Sequence, residues 1–233
     1  MQRVTATTLA TFDIFRGLSI QDRNYIAASM MLREYKHNEL LISASDDRSE
    51  VFFLLSGTVR AHANSKAGKQ VQYEDLSSGM MFGELSAIDD KPRGNDCIAV
   101  ENATVAVMTS EVFYQVMQEY PTVMKAVLQR LAKLARKHIQ RVYEFSTESV
   151  GTRVQLEIIR MIEDGSGFKK GASIQFDKVP THADIASRIS THREAVTREL
   201  KRLERIGLID WKPGRYAVHD ITEFKSFSLS HPA

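Results

Sequence analysis

The sequence predicts an α+β protein in which an N-terminal β jelly roll is followed by a long helix and a C-terminal winged helix-turn-helix domain. Three observations support this order. Short apolar or alternating segments separated by turns occupy the chain up to Met108. Apolar residues then recur at helical spacing from Ser110 onward. Near the C-terminus, two short amphipathic segments precede a strand-turn-strand pattern.

Composition limits the class of protein. The chain has 233 residues, of which 43% are hydrophobic and 26% charged, enough for one large domain or two small ones with cores of their own. Apolar runs such as Val51–Leu55 are too short to span a bilayer, and the N-terminus lacks a signal pattern. The single cysteine, Cys97, cannot form an intramolecular disulfide or a Cys-rich metal cage. We expect a cytoplasmic protein with no membrane partner and no metal.

The jelly roll is predicted from evenly spaced strands with turns between them. The strand-like segments are Val51–Leu55, Thr58–Ala61, Gln70–Leu76 and Asp96–Met108. The turn sequences are Ser56-Gly57, Ala67–Lys69 and Ser77–Gly79, and Glu101-Asn102 interrupts the last segment. We assign residues 1–120 to this domain.

The helical region begins with a short helix over Glu111–Glu119, and Pro121 suits the first turn of a longer one. Residues 121–146 form this second helix, whose apolar positions resemble a coiled-coil seam. The seam residues are Val127, Leu131, Leu134, His138, Val142 and Phe145. A seam of this kind predicts a parallel homodimer; the alternative is that the stripe packs on its own jelly roll.

Residues 147–233 form the last predicted domain. Ser146–Gly151 is expected to be a hinge, Arg153–Glu163 a helix, and Gly165–Gly171 a basic loop. Thr181–Asp184 has the shape of a capping box and starts a short helix. A second helix is expected to begin with Thr191 as N-cap and to end at Gly207, with its buried face extending to Ile206. Two strands, around Leu208–Trp211 and Tyr216–Val218 with Pro213-Gly214 between them, then form a wing.

The second of these helices has the properties of a DNA recognition helix. Arg193, Glu194 and Arg198 lie in its first two turns, away from the apolar stripe, where they would enter the major groove. Arginine can donate two parallel hydrogen bonds to guanine, and glutamate can accept one from the cytosine amino group. Lys201 extends the basic face towards phosphates. Because the net charge of the chain is only +2, DNA affinity must come from this local face. The alternative is an ordinary solvated helix in which Glu194 serves only as a cap.

A second constellation combines the sequence Phe82-Gly83-Glu84-Leu85 with Arg93. A phosphate pocket needs a glycine that lets the backbone approach closely and a guanidinium that can bind in a bidentate way. Gly83 and Arg93 meet these needs, and Glu84 could accept a hydrogen bond from a sugar hydroxyl. The alternative is a simple surface ion pair between Glu84 and Arg93.

Residues 181–218 resemble the DNA-binding domain of the cAMP receptor protein/FNR (CRP/FNR) family of bacterial regulators, whose recognition helix has the pattern Arg-Glu-x-x-x-Arg. By this resemblance Arg193, Glu194 and Arg198 read a TGTGA-like half-site in a palindrome. Lys201 and His182 are the further DNA-contacting candidates. The resemblance also implies a homodimer that binds double-stranded DNA and RNA polymerase.

Residues 82–94 are similar to the phosphate-binding cassette of cyclic-nucleotide-binding domains. The resemblance implies that Glu84 binds ribose, that Arg93 binds the cyclic phosphate, and that Gly83, Leu85, Ser86 and Gly94 complete the cassette. Gly94 stands where the cAMP receptor protein of enteric bacteria has a serine that touches the phosphate. The residues that read adenine in the family align with His138 and Ile139.

The expected function is therefore a transcription regulator controlled by cAMP. The imidazole of His138 would allow cGMP as well, because its nitrogens can donate or accept; the alternative is an ordinary interface histidine.

Other functions have less support in the sequence. A family member that senses haem with a gas ligand, or a cyclic dinucleotide, is one alternative; His37, His62 and His138 could bind haem, but no spacing supports it. A cyclic-nucleotide-binding regulatory subunit that does not bind DNA is another. No catalytic residues are predicted, since the histidines lie in no metal or nucleophile pattern, and Cys97 is expected to be a buried hydrophobe.

Overall fold

The structure is a computed structural model that describes residues 3–64, 70–177, 179–212 and 215–230, with no side-chain description for 215, 229 and 230. The chain divides into two compact units, Met1–Ala135 and Arg136–Ala233. The predicted turns Ala67–Lys69 and Pro213-Gly214 lie outside the described residues. In the described part of the chain, no helix is both long enough and apolar enough to cross a membrane.

The first unit begins with short helices that pack on the jelly roll. They are α1 (Ala6–Leu9), a single 3-10 turn at Asp13–Phe15, and α2 (Ile20–Ala28). Thr5 and Ser19 cap α1 and α2 with their hydroxyl groups. Phe12 and Phe15 extend into the core and both pack against the ring of Phe53, with ring centroids 5.3 and 5.4 Å away. These aromatic contacts fix the N-terminal segment to the jelly roll.

Eight strands form two antiparallel four-stranded sheets, which confirms the predicted jelly roll. They are β1 (Met31–Tyr35), β2 (Leu40–Ile42), β3 (Val51–Ser56), β4 (Val59–Asn64), β5 (Gln70–Leu76), β6 (Met81–Phe82), β7 (Asp96–Ala99) and β8 (Ala103–Met108). The orders are β1-β8-β3-β6 and β2-β7-β4-β5. Cys97 is buried in the apolar cluster that β3, β4 and β7 share, as predicted.

Three helices complete the first unit, and the last of them continues into the second: α3 (Glu84–Asp89), α4 (Ser110–Glu119) and α5 (Pro121–Thr147). Thr109 caps α4 through its side chain. Val123 and Val127 of α5 are buried in the core of the first unit. The seam prediction is wrong at Val127, because this residue packs on its own domain. The large exposed apolar residues of α5 are Met124, Leu128, Ile139, Val142, Tyr143 and Phe145.

The second unit contains the last turns of α5, three helices around one sheet, and a C-terminal helix. Its elements are α6 (Val150–Glu163), β9 (Phe168–Lys170), β10 (Ser173–Phe176), α7 (His182–Arg188), α8 (Arg193–Arg205), β11 (Ile209–Lys212), β12 (Arg215–Val218) and α9 (Ile221–Ser230). The sheet order is β11-β12-β10-β9, so the wing hairpin pairs with β10. The predicted basic loop at Gly165–Gly171 contains an edge strand, β9.

The structure corrects three local predictions in this unit. The helix expected over Arg153–Glu163 begins earlier, at Val150, because the Ser149 hydroxyl caps it. The expected hinge is therefore reduced to Glu148 and Ser149, between α5 and α6. Thr191 is not the N-cap of α8; His192 holds that position and makes no side-chain cap. Ile206 is 46% exposed and does not belong to the buried face of α8.

Candidate functional site

The turn between β6 and α3 brings the backbone close to Arg93. Gly83 has a φ of +80°, a conformation that favours glycine. A Cβ atom at this position would lie 2.9 Å from Nη1 of Arg93 and 3.0 Å from the carbonyl oxygen of Glu50. A side chain here would be strained by the positive φ and would push against both groups, so the turn favours glycine.

Arg93 is buried, with 6% of its surface exposed. Its Nη1 donates to the carbonyl oxygen of Gly83 and its Nη2 to that of Glu50, both at 2.7 Å. Its Nε has no hydrogen-bond partner among the described residues, and no described carboxylate forms an ion pair with it. Burial lowers the pKa of Arg93 from its usual value, with Asp46 the largest opposing influence. Arg93 is thus a guanidinium without a compensating carboxylate, which suits an anionic ligand.

Glu84 is also buried, but its partner is not Arg93. Nε of Arg130 on α5 lies 3.4 Å from Oε1 of Glu84, and Nη2 of Arg130 donates to the carbonyl oxygen of Met81 at 2.6 Å. The alternative of a surface ion pair between Glu84 and Arg93 is therefore wrong on both partner and burial.

The remaining cassette residues differ in their surroundings. Ser86 is buried and Leu85 is 52% exposed. A Cβ at Gly94 would meet nothing within 4 Å, so this glycine is not required by packing. His138 and Ile139 lie on α5 in the second unit, where both are exposed.

Two residues of this site were missed in the sequence. Glu50 contributes a backbone carbonyl, which any residue type could supply, so no sequence signal marks it. Arg130 contacts Glu84 from a helix that is distant in sequence. In the sequence it lies between two apolar residues of the helical repeat, where a solvent-exposed arginine would be ordinary.

The second candidate surface is the outer face of α8. Arg193, Glu194, Arg198 and Lys201 are all exposed, and together with Thr197, Arg202 and Arg205 they line a shallow concave surface. No described residue forms an ion pair with Arg193, Arg198 or Lys201. Their charges are therefore available to an external partner. Arg202 differs, because it binds the carboxylate of Glu199 at 2.7 and 2.8 Å and stacks over the ring of Phe227.

The inner face of α8 fixes its orientation. Val196, Leu200 and Leu203 are buried in the core of the second unit. Glu199 also accepts a hydrogen bond from Nε2 of Gln155 on α6 at 2.8 Å. At the far end of the helix, the Glu204 carboxylate accepts a hydrogen bond from the backbone N–H of Trp211 at 3.0 Å. The helix is thus attached to both α6 and the wing.

His182 connects the two helices of the helix-turn-helix. Its Nδ1 lies 2.8 Å from the hydroxyl oxygen of Thr197, which in turn donates to the carbonyl oxygen of Arg193 at 3.0 Å. The capping box predicted at Thr181 and Asp184 is confirmed and starts the helix that contains His182. Burial, with a smaller contribution from the charge of Arg193, lowers the pKa of His182. The lowered pKa favours the neutral imidazole.

A buried ionic network connects the first helix of the helix-turn-helix to α6 and to the end of α5. Glu157 on α6 lies 2.9 Å from Arg141 of α5, 3.0 Å from Arg160 and 3.3 Å from Arg188 of α7. Glu144 of α5 pairs with Arg160 as well. Because the two carboxylates and their partners come from three helices, the end of α5, α6 and α7 are held as one block.

No cluster of histidine, cysteine or acidic residues suited to a metal occurs within the described ranges.

Comparison with known proteins finds a matching family model within each unit. Residues 32–120 match the model of the cyclic nucleotide-binding domain, and residues 153–227 match that of the Crp-like helix-turn-helix domain. The chain is 23% identical over 207 residues to the cyclic AMP receptor protein of Thermus thermophilus, covering 89% of this chain and 92% of that one.

Two solved structures have the same fold. CooA from Carboxydothermus hydrogenoformans superposes with a TM-score of 0.79 at 19% identity, covering 97% of this chain and 98% of that one. The c-di-GMP responsive regulator CLP of Xanthomonas campestris gives a TM-score of 0.69 at 18% identity, covering 83% and 95%.

Proposed function

The chain belongs to the CRP/FNR family of transcription regulators, which are not enzymes, and from this premise we propose that it is a homodimer that binds a palindromic, TGTGA-like DNA site when cAMP occupies its jelly roll. The single observation that most supports effector binding is Arg93. It is buried and lacks an ion-pair partner among the described residues, and it lies against a glycine whose positive φ disfavours any other residue.

In this proposal the cyclic phosphate binds Arg93, whose buried Nε has no hydrogen-bond partner among the described residues. Gly83 keeps the backbone close to that anion, and Leu85, Ser86 and Gly94 complete the cassette. Glu84 accepts a hydrogen bond from the ribose hydroxyl while Arg130 holds it in place. The name of the Thermus relative supports cAMP as the effector. His138 and Ile139 are the candidates for contact with the base, and an imidazole would accept either purine.

DNA recognition is assigned to α8. Arg193, Glu194 and Arg198 read base edges in the major groove, and Lys201 and His182 contact phosphates. The exposure of Arg193, Arg198 and Lys201 and their lack of described acidic partners support this assignment.

Dimer formation is assigned to the exposed apolar residues of α5. Leu128, Ile139 and Val142 have 60%, 69% and 64% of their surfaces exposed, and a second copy of the helix would cover them. In a two-fold symmetric dimer formed through α5, the two recognition helices would enter successive major grooves about 34 Å apart. In domain terms we propose an effector domain over residues 1–120, a dimer helix over 121–146 and a DNA-binding domain over 147–233, with RNA polymerase as a further partner.

The effector is tested by isothermal titration calorimetry of the full chain with cAMP, cGMP and cyclic di-GMP. We expect cAMP to bind the wild type and to lose at least 100-fold in affinity in Arg93→Gln, as expected when a buried charged contact to a phosphate is removed. If only cyclic di-GMP binds, the effector is a cyclic dinucleotide and not cAMP. Equal binding of cAMP to wild type and variant would contradict the pocket.

The DNA site is tested by selection from a random duplex library with and without cAMP. Arg198→Ala should cost about 1–3 kcal/mol and relax the preference at one base pair. The matched control, Lys201→Ala, should weaken all sequences equally. Uniform weakening by Arg198→Ala would contradict its base-reading role, and equal DNA affinity with and without cAMP would contradict effector control.

A further inference from the structure

We propose that Arg48 provides a second guanidinium for the anionic ligand that binds at Arg93. Arg48 stays ion-paired with Asp46 until that anion binds. This inference rests on the proposed function, because it concerns the same phosphate. It adds two residues that lie outside the predicted cassette, in the segment between β2 and β3.

The segment is fixed on both sides of these residues. The backbone N–H of Ala44 donates to the Asp96 carboxylate at 2.7 Å, and the carbonyl oxygen of Glu50 accepts from Nη2 of Arg93 at 2.7 Å. Asp46 and Arg48 lie between these anchors, and Arg48 is only two residues from the carbonyl that holds Arg93. The chain must therefore pass beside the Arg93 guanidinium.

The Asp46 carboxylate accepts several hydrogen bonds from the Arg48 guanidinium. Nε of Arg48 donates to both carboxylate oxygens, at 2.8 and 3.1 Å, and Nη2 donates to Oδ2 at 2.6 Å. The side chain of Asp46 is only 19% exposed, whereas that of Arg48 is 63% exposed. Arg48 can therefore turn on its flexible stem, while the carboxylate stays in place.

Asp46 also acts on Arg93. The charge of Asp46 is the largest influence that raises the pKa of Arg93, and Arg93 contributes to the lowering of the Asp46 pKa to about 2. The Glu50 carboxylate also raises the pKa of Arg93; it lies 4.0 Å from Arg48 but is already bound by Arg33 at 2.5 and 3.0 Å. The carboxylate of Asp46 is thus ion-paired with Arg48 and acts on Arg93 only through its charge, without an ion pair.

A phosphate bound at Arg93 would change this balance. It would bring a second negative charge beside Asp46, and these two like charges would repel. Turning Arg48 from the carboxylate towards the phosphate would relieve the repulsion and add a charge-assisted hydrogen bond. Asp46 therefore opposes binding and Arg48 favours it, so substitutions at the two positions should have opposite effects. An ion pair that only stiffens the loop would not produce opposite signs.

Asp46→Asn and Arg48→Gln test the inference. Asparagine can still accept the hydrogen bond from the backbone N–H of Arg48, at 3.0 Å in the structure, so the loop keeps its turn while the charge is removed. A unit charge beside the phosphate at surface dielectric changes affinity about three- to tenfold. We expect cAMP to bind Arg48→Gln three- to tenfold more weakly, and Asp46→Asn more tightly by a similar factor, in calorimetry on the full chain. Weakening by added salt should also be less steep in Arg48→Gln.

The control is the exposed pair of Asp13 and Arg16, 2.7 Å apart, on the N-terminal 3-10 turn. Asp13→Asn and Arg16→Gln should leave cAMP affinity unchanged. If wild type binds cAMP and Arg93→Gln does not, but the Asp46 and Arg48 variants equal this control, the inference is overturned and the proposed function stands. If Arg93→Gln binds like the wild type, the proposed function fails and the inference fails with it.

Discussion

Glu157 is the residue at which the second unit should be most sensitive to loss of a charge. Its side chain is only 4% exposed and lies within 3.3 Å of three guanidinium groups, from Arg141, Arg160 and Arg188. Glu157→Gln keeps the shape but removes the charge that balances them. A hydrogen bond to a charged group contributes about 1 kcal/mol more to stability than a hydrogen bond between neutral groups. Three contacts therefore give about 3 kcal/mol, the lower part of the range for breaking a buried ion pair, about 3–5 kcal/mol.

Trp211 makes this loss measurable. It is the only tryptophan in the chain and is buried in the core of the second unit, so its fluorescence reports on unfolding of that unit. In a urea titration of the full chain, a loss of about 3 kcal/mol moves the midpoint down by about 1–3 M. The matched control is Glu163→Gln, which removes the partner of Lys225 from an exposed pair 2.7 Å long. That control should change stability by less than about 1 kcal/mol. Equal midpoints for the two variants would refute the network as a source of stability.

The pH dependence follows from the direction of the Glu157 pKa. Burial alone would raise this pKa, but the charges of Arg141, Arg188 and Arg160 outweigh burial and lower it. A carboxylate whose pKa is lower in the folded state contributes stability above its unfolded pKa, about 4.3. That stability disappears as the pH falls through the folded pKa. The gap between wild type and Glu157→Gln should therefore be largest at pH 7 and shrink below about pH 4.

Three further outcomes are expected. Gly57→Ala should destabilise the jelly roll by more than about 2 kcal/mol in thermal unfolding, because the residue has a φ of +85° and its Cβ would lie 2.3 Å from the carbonyl oxygen of Asn102. Gly165→Ala, with a φ of +75° but open space, is its control and should cost only about 1 kcal/mol; equal losses would show that the contact with Asn102 does not matter. Burial raises the pKa of the Cys97 thiol to about 12, so an aromatic disulfide reagent at pH 8 should react only after urea unfolding, and rapid labelling of the folded protein would contradict this. His138→Ala should change the ratio of cAMP to cGMP affinity, and an unchanged ratio would remove His138 from base recognition.

The strands were predictable because a two-residue period and glycine turns encode them directly. The break at Glu101-Asn102 separates β7 from β8 as expected, and Ser77–Gly79 leads from β5 to β6 with Gly79 at a φ of +88°. At the turn between β6 and α3, the pattern placed Gly83 next to Arg93, as the structure does, because a glycine in a turn and a nearby arginine are both visible in the sequence. The contact with the Glu50 carbonyl was not predictable, since a backbone group leaves no mark on residue type.

Helix faces were harder to assign, for a geometric reason. Apolar residues of α5 lie on two neighbouring stripes, and spacing alone does not show which stripe meets the protein's own core. Val127 faces that core, whereas Leu128, one position later and about 100° round the helix, is exposed. Only the position of the jelly roll, fixed by tertiary packing, separates the two. The predicted cap at Thr191 was wrong by one residue, because the spacing between a threonine and a glutamate does not by itself fix where a helix begins.

The number of basic residues on α8 also overstates its exposed charge, because packing pairs one of them with a carboxylate. Arg202 adds to the basic residues in the sequence, but its guanidinium is bound to Glu199, which is itself attached to Gln155 of α6. This arginine stabilises the junction between α6 and α8, and the two charges cancel at the surface. Arg193, Arg198 and Lys201 have no such partner among the described residues, and they lie in the first, second and third turns of the helix. The basic face that DNA would meet is therefore narrower than the sequence suggests, and it is concentrated on the part of α8 that a major groove can admit.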